Sequence, residues 1–345
     1  MSARRSPARV TLHDVAREAG VSVATASRVL GGGDRKVSDE LSARVQRAAA
    51  RLRYAPDLSA RAVRRGTSST IALIVSDISD PYFSAVASGV IAAARRARMT
   101  VTIAATERST LLELETVRAM RAQGHRALIV VGSRPVRQSE DDLVAEIARF
   151  EQAGGTVVLV SQPVLPFSTV SLDNAGGARS LALKLVGHGY RSFAVLAGDR
   201  RFATVEDRIS GFVKGLGQVG VELDDDRIFA GSFSRDGGFE TAQAFIESGL
   251  QSVDLVFATS DVMAVGAMAA FRDHGIRVGS DVGLAGFDDI RVASLVTPRL
   301  TTVAAPMAEM GAAAVELALS EPGERMIREF STTIALRESS PRRAR

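Results

Sequence analysis

The sequence predicts two architectures in one chain: an N-terminal all-α helix-turn-helix headpiece and, after it, an α/β core of two Rossmann-like lobes. Three observations carry that expectation. Two short amphipathic segments meet at a glycine between residues 11 and 30, basic charge is gathered around them, and apolar strand-like runs alternate with helical patterns from residue 71 onward. A chain of 345 residues with 46% hydrophobic content is long enough for two or three units and a sizeable buried core.

The first segment opens at Thr11, whose hydroxyl suits an N-cap, and Asp14 adds negative charge to the first turn. Leu12, Val15, Ala16 and Ala19 then recur at helical spacing. Gly20 supplies the backbone freedom that a helix C-terminus favours, Val21 fills the corner, and Ser22 starts a second helix with Ala26, Val29 and Leu30 on its apolar stripe. The outer face of this second helix carries Ser22, Thr25 and Ser27, small hydroxyls suited to phosphate oxygens. Val23 and Ala24 offer apolar contact alone, such as to a thymine methyl, and Arg28 has a donor fork long enough to reach a base edge. A recognition helix fits these residues; an ordinary surface helical hairpin is the plain alternative.

Charge favours the recognition helix. Residues 1–66 carry 14 Lys/Arg against 6 Asp/Glu, which leaves 29 against 33 for the rest of the chain. Basic charge confined to a helix-turn-helix is the footprint of binding a polyanion. Residues 1–10 read as a basic arm, and the glycine-rich loop after Leu30 brings Arg35 and Lys36 toward a phosphate backbone. Ser38 caps a third helix, with Glu40 in its first turn and Leu41, Val45, Ala48, Ala49 and Leu52 turned inward. Pro56 ends that run. The Ala/Arg-rich segment 57–65 is too short to be a stable helix alone in water, so it reads as a hinge that folds on a partner, or else as a plain linker.

The core is read from repetition. Apolar runs at 71–75, 101–105, 127–131, 156–160, 193–197, 255–258 and 282–287 alternate with helical patterns around 84–98, 110–123, 140–153, 175–188, 204–219, 237–249 and 261–274. Near-continuous apolar strands between helices mean parallel sheets buried on both faces, and the count is too large for one small doubly wound sheet. The final PRRAR, residues 341–345, reads as a disordered basic tail.

Several function classes lose support. The chain has no Cys, so disulfides and thiolate chemistry are excluded. No apolar h-region follows the basic N-terminus and no apolar run is long enough to span a membrane, which makes a soluble cytoplasmic protein the expectation. There is no G-x-S-x-G, no G-x-x-x-x-G-K-[ST], and no G-x-G-x-x-G after the first strand, and the four histidines lack ligand spacing. Neither a catalytic site nor a metal or cofactor site is expected.

The stretches V-T-L-H-D-V-A-R-E-A-G-V-S-V-A-T-A-S-R-V-L (10–30), V-S-D-E-L-S-A-R-V (37–45) and Y-A-P-D-L-S-A-R-A-V (54–63) resemble the headpiece of the LacI/GalR family of transcriptional regulators, and the likeness runs on to about Leu336. The resemblance implies a headpiece over 1–55, a hinge helix and linker over 56–69, and a periplasmic-binding-protein-like core over 70–345. Its first lobe would be about 70–172 and 303–332, and its second about 173–302 and 333–340, with crossings near Ser171-Leu172-Asp173 and Leu300-Thr301-Thr302. It also implies that Tyr54 and the hinge residues Asp57, Ala60 and Val63 join the DNA contacts. The hinge would enter the minor groove and Val63 would stand where the family has a wedging Leu; Asp57 replaces the usual Asn.

An effector site is expected at the strand ends that face between the lobes. The candidates there are Tyr82, Phe83, Asp173, Phe202, Thr204, Arg208, Phe233, Ser260 and Asp288: aromatic shelves for a polar ring, with a guanidinium fork and a carboxylate to meet hydroxyls. The resemblance places effector contacts at the Arg of R-x-x-G-F, here Arg208, and at the Asp of G-F-D, here Asp288. Each has a plain alternative. Tyr82 and Phe83 serve equally as core staples, Arg208 and Asp288 as a structural ion pair, and Asp173 as a helix cap. Ser260 departs from the Asn that sugar-binding members carry, which leaves a purine or another metabolite open beside a sugar. The expectation is a homodimeric, effector-controlled repressor that binds double-stranded operator DNA, without membrane association. Its rival is a sugar-binding receptor without DNA function.

Overall fold

The computed structural model describes residues 10–31, 37–54, 69–249, 252–321 and 323–343. Lys36, Asp57, Ala60 and Val63, and the expected hinge before Ser69, lie outside them. The chain divides after Ser68 into two units, Met1–Ser68 and Ser69–Arg345.

In the first unit, α1 (Leu12–Ala19), α2 (Val23–Gly31) and α3 (Asp39–Arg51) form a three-helix cluster. A reciprocal capping box starts α1: the Asp14 N–H donates to Thr11 Oγ1 and the Thr11 N–H donates to Asp14 Oδ2. That hydrogen bonding holds the exposed Asp14 carboxyl below its ordinary value. Gly20 closes the helix at φ 60, a left-handed conformation that costs glycine nothing. The guanidinium of Arg44 on α3 donates to the Ala19 carbonyl at 2.7 Å, satisfying an orphan acceptor at the end of α1. The core is small: Val15, Ala16, Ala19, Ala26, Val45, Ala48 and Ala49, ringed by half-buried side chains such as Leu12, Val21, Leu52 and Tyr54.

The second unit holds two six-stranded sheets. The first has the order β11-β5-β4-β3-β1-β2, with β1 (Thr70–Val75), β2 (Thr100–Ala105), β3 (Ala127–Val131), β4 (Thr156–Val160), β5 (Ser168–Leu172) and β11 (Ile327–Phe330). The second runs β12-β10-β9-β8-β6-β7, with β6 (Phe193–Ala197), β7 (Ile228–Ala230), β8 (Leu255–Ala258), β9 (Gly283–Asp288), β10 (Thr301–Ala304) and β12 (Thr333–Ala335). Neighbours pair in parallel throughout, except that β12 runs antiparallel to β10. The chain passes between the sheets after β5, after β10 and between β11 and β12.

Helices cover both faces of each sheet, which is why the strands read as unbroken apolar runs. Ile71, Leu73 and Val75 of β1 pack toward α4 (Pro81–Arg96) and α11 (Met307–Leu319). Ala72 and Ile74 pack toward α5 (Thr110–Ala122) and α6 (Asp141–Gln152). In the second lobe α7 (Asn174–Gly187) and α8 (Ala203–Gly217) cover one face, and α9 (Arg235–Glu247) and α10 (Asp261–Asp273) the other. Gly89 lets α4 lie directly on the Ala308 backbone of α11, where a Cβ would collide with the Ala308 carbonyl.

The chain changes lobe close to Ser171-Leu172-Asp173 and just beyond Leu300-Thr301-Thr302, after β5 and β10 have paired in their sheets. One expectation is corrected. The start of the supposed tail is docked: Tyr190 donates its hydroxyl to the Pro341 carbonyl at 2.8 Å, and Arg343 pairs with Asp254 at 3.0 Å while lying over the Tyr190 ring. Tyr190 is fully buried, and its hydroxyl finds an acceptor in this segment.

Candidate functional site

The headpiece offers its second helix. Ser22, Ala24, Ser27 and Arg28 are exposed, and Arg28 makes no ion pair among the described residues. Ser22 caps the helix by accepting the Thr25 N–H at 3.1 Å, and its hydroxyl lies 2.9 Å from that of Thr25. The two hydroxyls therefore satisfy one another until a partner arrives. Val23 and Tyr54 are half-buried against the headpiece core, and Thr11 is committed to its cap. The surface left for a partner is thus narrower than the sequence suggested, with Ala24, Ser27 and Arg28 at its centre.

The core unit has a cleft between its lobes. Tyr82, Phe83, Phe202, Thr204, Arg208, Phe233 and Asp288 all line it. The structure does not bring Asp173 or Ser260 there. Asp173 caps α7 by accepting the Gly176 N–H at 2.7 Å, and Ser260 is fully buried as the cap of α10. Both are polar groups after a strand, a position that a helix cap occupies just as often.

Arg208 and Asp288 form the centre. Arg208 sits on the second turn of α8 and is 2% exposed, yet every part of its fork is satisfied. Nε donates to Asn174 Oδ1 at 2.9 Å, Nη1 to the Thr259 carbonyl at 2.7 Å and Nη2 to Asp288 Oδ1 at 2.7 Å. Its guanidinium lies 3.7 Å from the Phe287 ring centroid. Burial pushes the Asp288 carboxyl up to about 6, outweighing the pull of Arg208. Asp288 is also held at φ 113, a left-handed backbone that a side chain rarely adopts. Burial likewise raises the Tyr82 hydroxyl, and the nearby Asp288 charge adds to it.

Across the cleft lie residues that the sequence reading missed. Arg108, after β2, pairs with Asp80 at 2.9 Å and Asp77 at 3.6 Å. Its guanidinium lies between the ring of Phe83 in its own lobe, at 5.5 Å, and that of Phe233 in the other, at 5.2 Å. Gln162, after β4, donates to Thr204 Oγ1 at 2.7 Å, and the Thr204 N–H donates to Ser133 Oγ at 3.0 Å. Behind these contacts, Arg134 is buried with Glu113 at 2.7 Å and Glu140 at 2.9 Å, and its carbonyl accepts the Ala203 N–H from the other lobe. The lobes are therefore bonded to one another across the cleft. Arg108, Gln162 and Asn174 all follow strand C-termini, so the rule that found Asp288 could have found them.

A helix-turn-helix unit with a free recognition face, joined in one chain to a two-lobed binding core, defines a DNA-binding transcriptional regulator with a ligand site. Two family profiles match: "Bacterial regulatory proteins, lacI family" over residues 11–57 and "Periplasmic binding protein-like domain" over 182–340. The regulator GalR of Escherichia coli is 31% identical over 95% of this chain and 95% of its own length. GalS of Salmonella typhimurium is 33% identical over 90% of this chain and 89% of its own, and the repressor CytR of Escherichia coli is 31% identical over 93% and 92%. The lac repressor dimer bound to operator and the anti-inducer ONPF aligns with a TM-score of 0.83 at 25% identity, over 96% of this chain and 99% of that one. A complex of the regulator CelR with cellobiose aligns at 0.70 with 28% identity, over 96% of this chain and 100% of that one. The chain belongs to the lacI family of bacterial transcriptional regulators.

Proposed function

We propose that this regulator is a homodimeric repressor whose operator affinity is set by a small sugar-like effector held between the two core lobes. The observation that carries the reading is the buried Arg208–Asp288 pair, presented to a cleft walled by Tyr82, Phe83, Phe202 and Phe233. A guanidinium and a carboxylate already matched to each other leave the pair's net charge near zero, which suits hydroxyls that both donate and accept over an anionic ligand. Aromatic faces suit the apolar side of a sugar ring. The cellobiose bound to CelR supports this ligand class.

On the DNA side, Ala24 and Arg28 read the half-site, Ser27 meets phosphate, and Lys36, Asp57, Ala60 and Val63 extend the contact along the backbone and into the minor groove. A two-fold dimer then reads an inverted repeat. An effector admitted to the cleft meets the Gln162–Thr204 and Arg108–Phe233 contacts that join the two lobes. It changes operator affinity by its preference for one lobe arrangement over the other, ~1–3 kcal/mol of coupling in typical regulators.

The test starts from genomic fragments retained by the purified full-length protein at moderate salt. The expected result is a set of fragments sharing an inverted repeat, bound with an affinity that at least one neutral sugar in a panel shifts. Retention of sugar without retention of any DNA would favour the receptor alternative and overturn this reading.

A further inference from the structure

Asp261 is the first residue of α10, fully buried, and not part of the cleft wall. Its carboxylate nevertheless grips two segments that bear on the cleft. Oδ2 accepts the Ile290 N–H at 2.9 Å, and Oδ1 accepts the Thr302 hydroxyl at 2.6 Å. Ile290 follows the pair Asp288-Asp289, both in left-handed conformation at φ 113 and φ 58. Two such residues in succession are strained and persist only where their surroundings fix them. Thr302 belongs to β10, the strand that hands the chain back to the first lobe, and the Ala305 N–H just beyond it donates to the Asp288 carbonyl at 3.2 Å. Gly286 has no side chain where a Cβ would strike Asp261 Oδ1, so β9 lies directly against this carboxylate.

We propose that Asp261 is a positioning residue for the effector site: by tying the Ile290 amide to the Thr302 hydroxyl it holds the strained turn that aims Asp288 at Arg208, and joins that turn to the crossover strand β10. The inference rests on the reading of Asp288 as an effector contact. Burial, with the charge of Asp288 adding to it, raises the Asp261 carboxyl well above its ordinary value. An amide of the same shape can keep both bonds, with the Thr302 hydroxyl turned from donor to acceptor. Asn at this position offers its oxygen to the Ile290 N–H and its NH2 to the Thr302 oxygen.

The test compares wild type, Asp261→Ala and Asp261→Asn by hydrogen exchange at the Ile290 amide, by calorimetry with cellobiose, ribose and galactose as probes, and by operator titration without sugar. Asp261→Ala is expected to speed exchange at Ile290 and to weaken the best-bound sugar, each about ten-fold or more, the size of one lost buried hydrogen bond, with sugar-free operator affinity unchanged. Asp261→Asn is expected to restore both. If Asp261→Ala fails to fold, Thr302→Val removes one of the two bonds at constant volume and takes its place. Unchanged exchange and sugar affinity in Asp261→Ala, or an Asn variant as impaired as the Ala variant, overturns the proposal. If none of the three sugars binds the wild type, the exchange result decides alone. Asp288→Asn separates the two readings: sugar binding that survives it sinks the cleft assignment, whereas loss there with normal binding in Asp261→Ala sinks only the clamp.

Discussion

The headpiece and the core handle polar side chains in opposite ways. Among the described residues of the headpiece the buried set is Val and Ala alone, and the long polar side chain of the recognition helix, Arg28, stands in solvent. In the core, Arg208 and Arg134 are each 2% exposed, the first paired with Asp288 and the second with Glu113 and Glu140. A surface that meets a polyanion needs free donors over a simple scaffold, because its partner supplies the compensating charge. A cleft that closes on a small ligand has to compensate its charges within the protein, since it must remain folded when empty. The recognition face is thus specified by what it leaves unpaired and the cleft by what it pairs.

The sharpest way to break this contrast is to unpair the core. Arg208→Ala leaves Asp288 buried without its cation and should cost about 3–5 kcal/mol of core stability. Denaturant unfolding of the variant checks it, and a loss below about 1 kcal/mol would mean that solvent reaches the pair.

The pH dependence should be smaller. Asp288 has a folded-state value near 6 against an ordinary 3.8, so the folded state holds this proton more tightly than the unfolded chain does. Its contribution to stability is therefore fully present below the ordinary value and is lost as pH rises toward about 6. Wild type should lose stability relative to Asp288→Asn across that window, by up to about 3 kcal/mol. Parallel pH profiles for the two proteins would contradict the burial argument.

On the headpiece side, Arg28→Ala should weaken operator binding by ~1–3 kcal/mol and flatten preference at one base pair of each half-site. If affinity falls equally on all sequences, Arg28 contacts phosphate instead. The least effect is expected from Thr11→Ala, which removes the capping box of α1 at about 1 kcal/mol of headpiece stability, read as an earlier thermal transition of the first unit with the core transition unmoved.

What the sequence determined by itself is whatever rests on neighbours along the chain. Both ends of α1 and the start of α3 follow from Thr11, Gly20 and Ser38, because a cap acts within four residues, and seven strands announce themselves because a sheet covered on both faces needs unbroken apolar runs. Arg208 and Asp288 were legible as the guanidinium of R-x-x-G-F and the carboxylate of G-F-D in a resembling family. Only the tertiary structure decided the rest. The strands β5, β10, β11 and β12 are three to five residues long and mixed in polarity, and β7 is apolar but only three residues long, so they exist because a neighbouring strand offers its hydrogen bonds. Whether a polar residue after a strand faces the cleft or turns back to cap its own helix depends on how that helix is seated: Asp173 and Ser260 turn back, while Arg108, Gln162 and Asn174 face in. The Arg208–Asp288 bond spans 80 positions in sequence, and no local pattern records that those two side chains share one buried hydrogen bond.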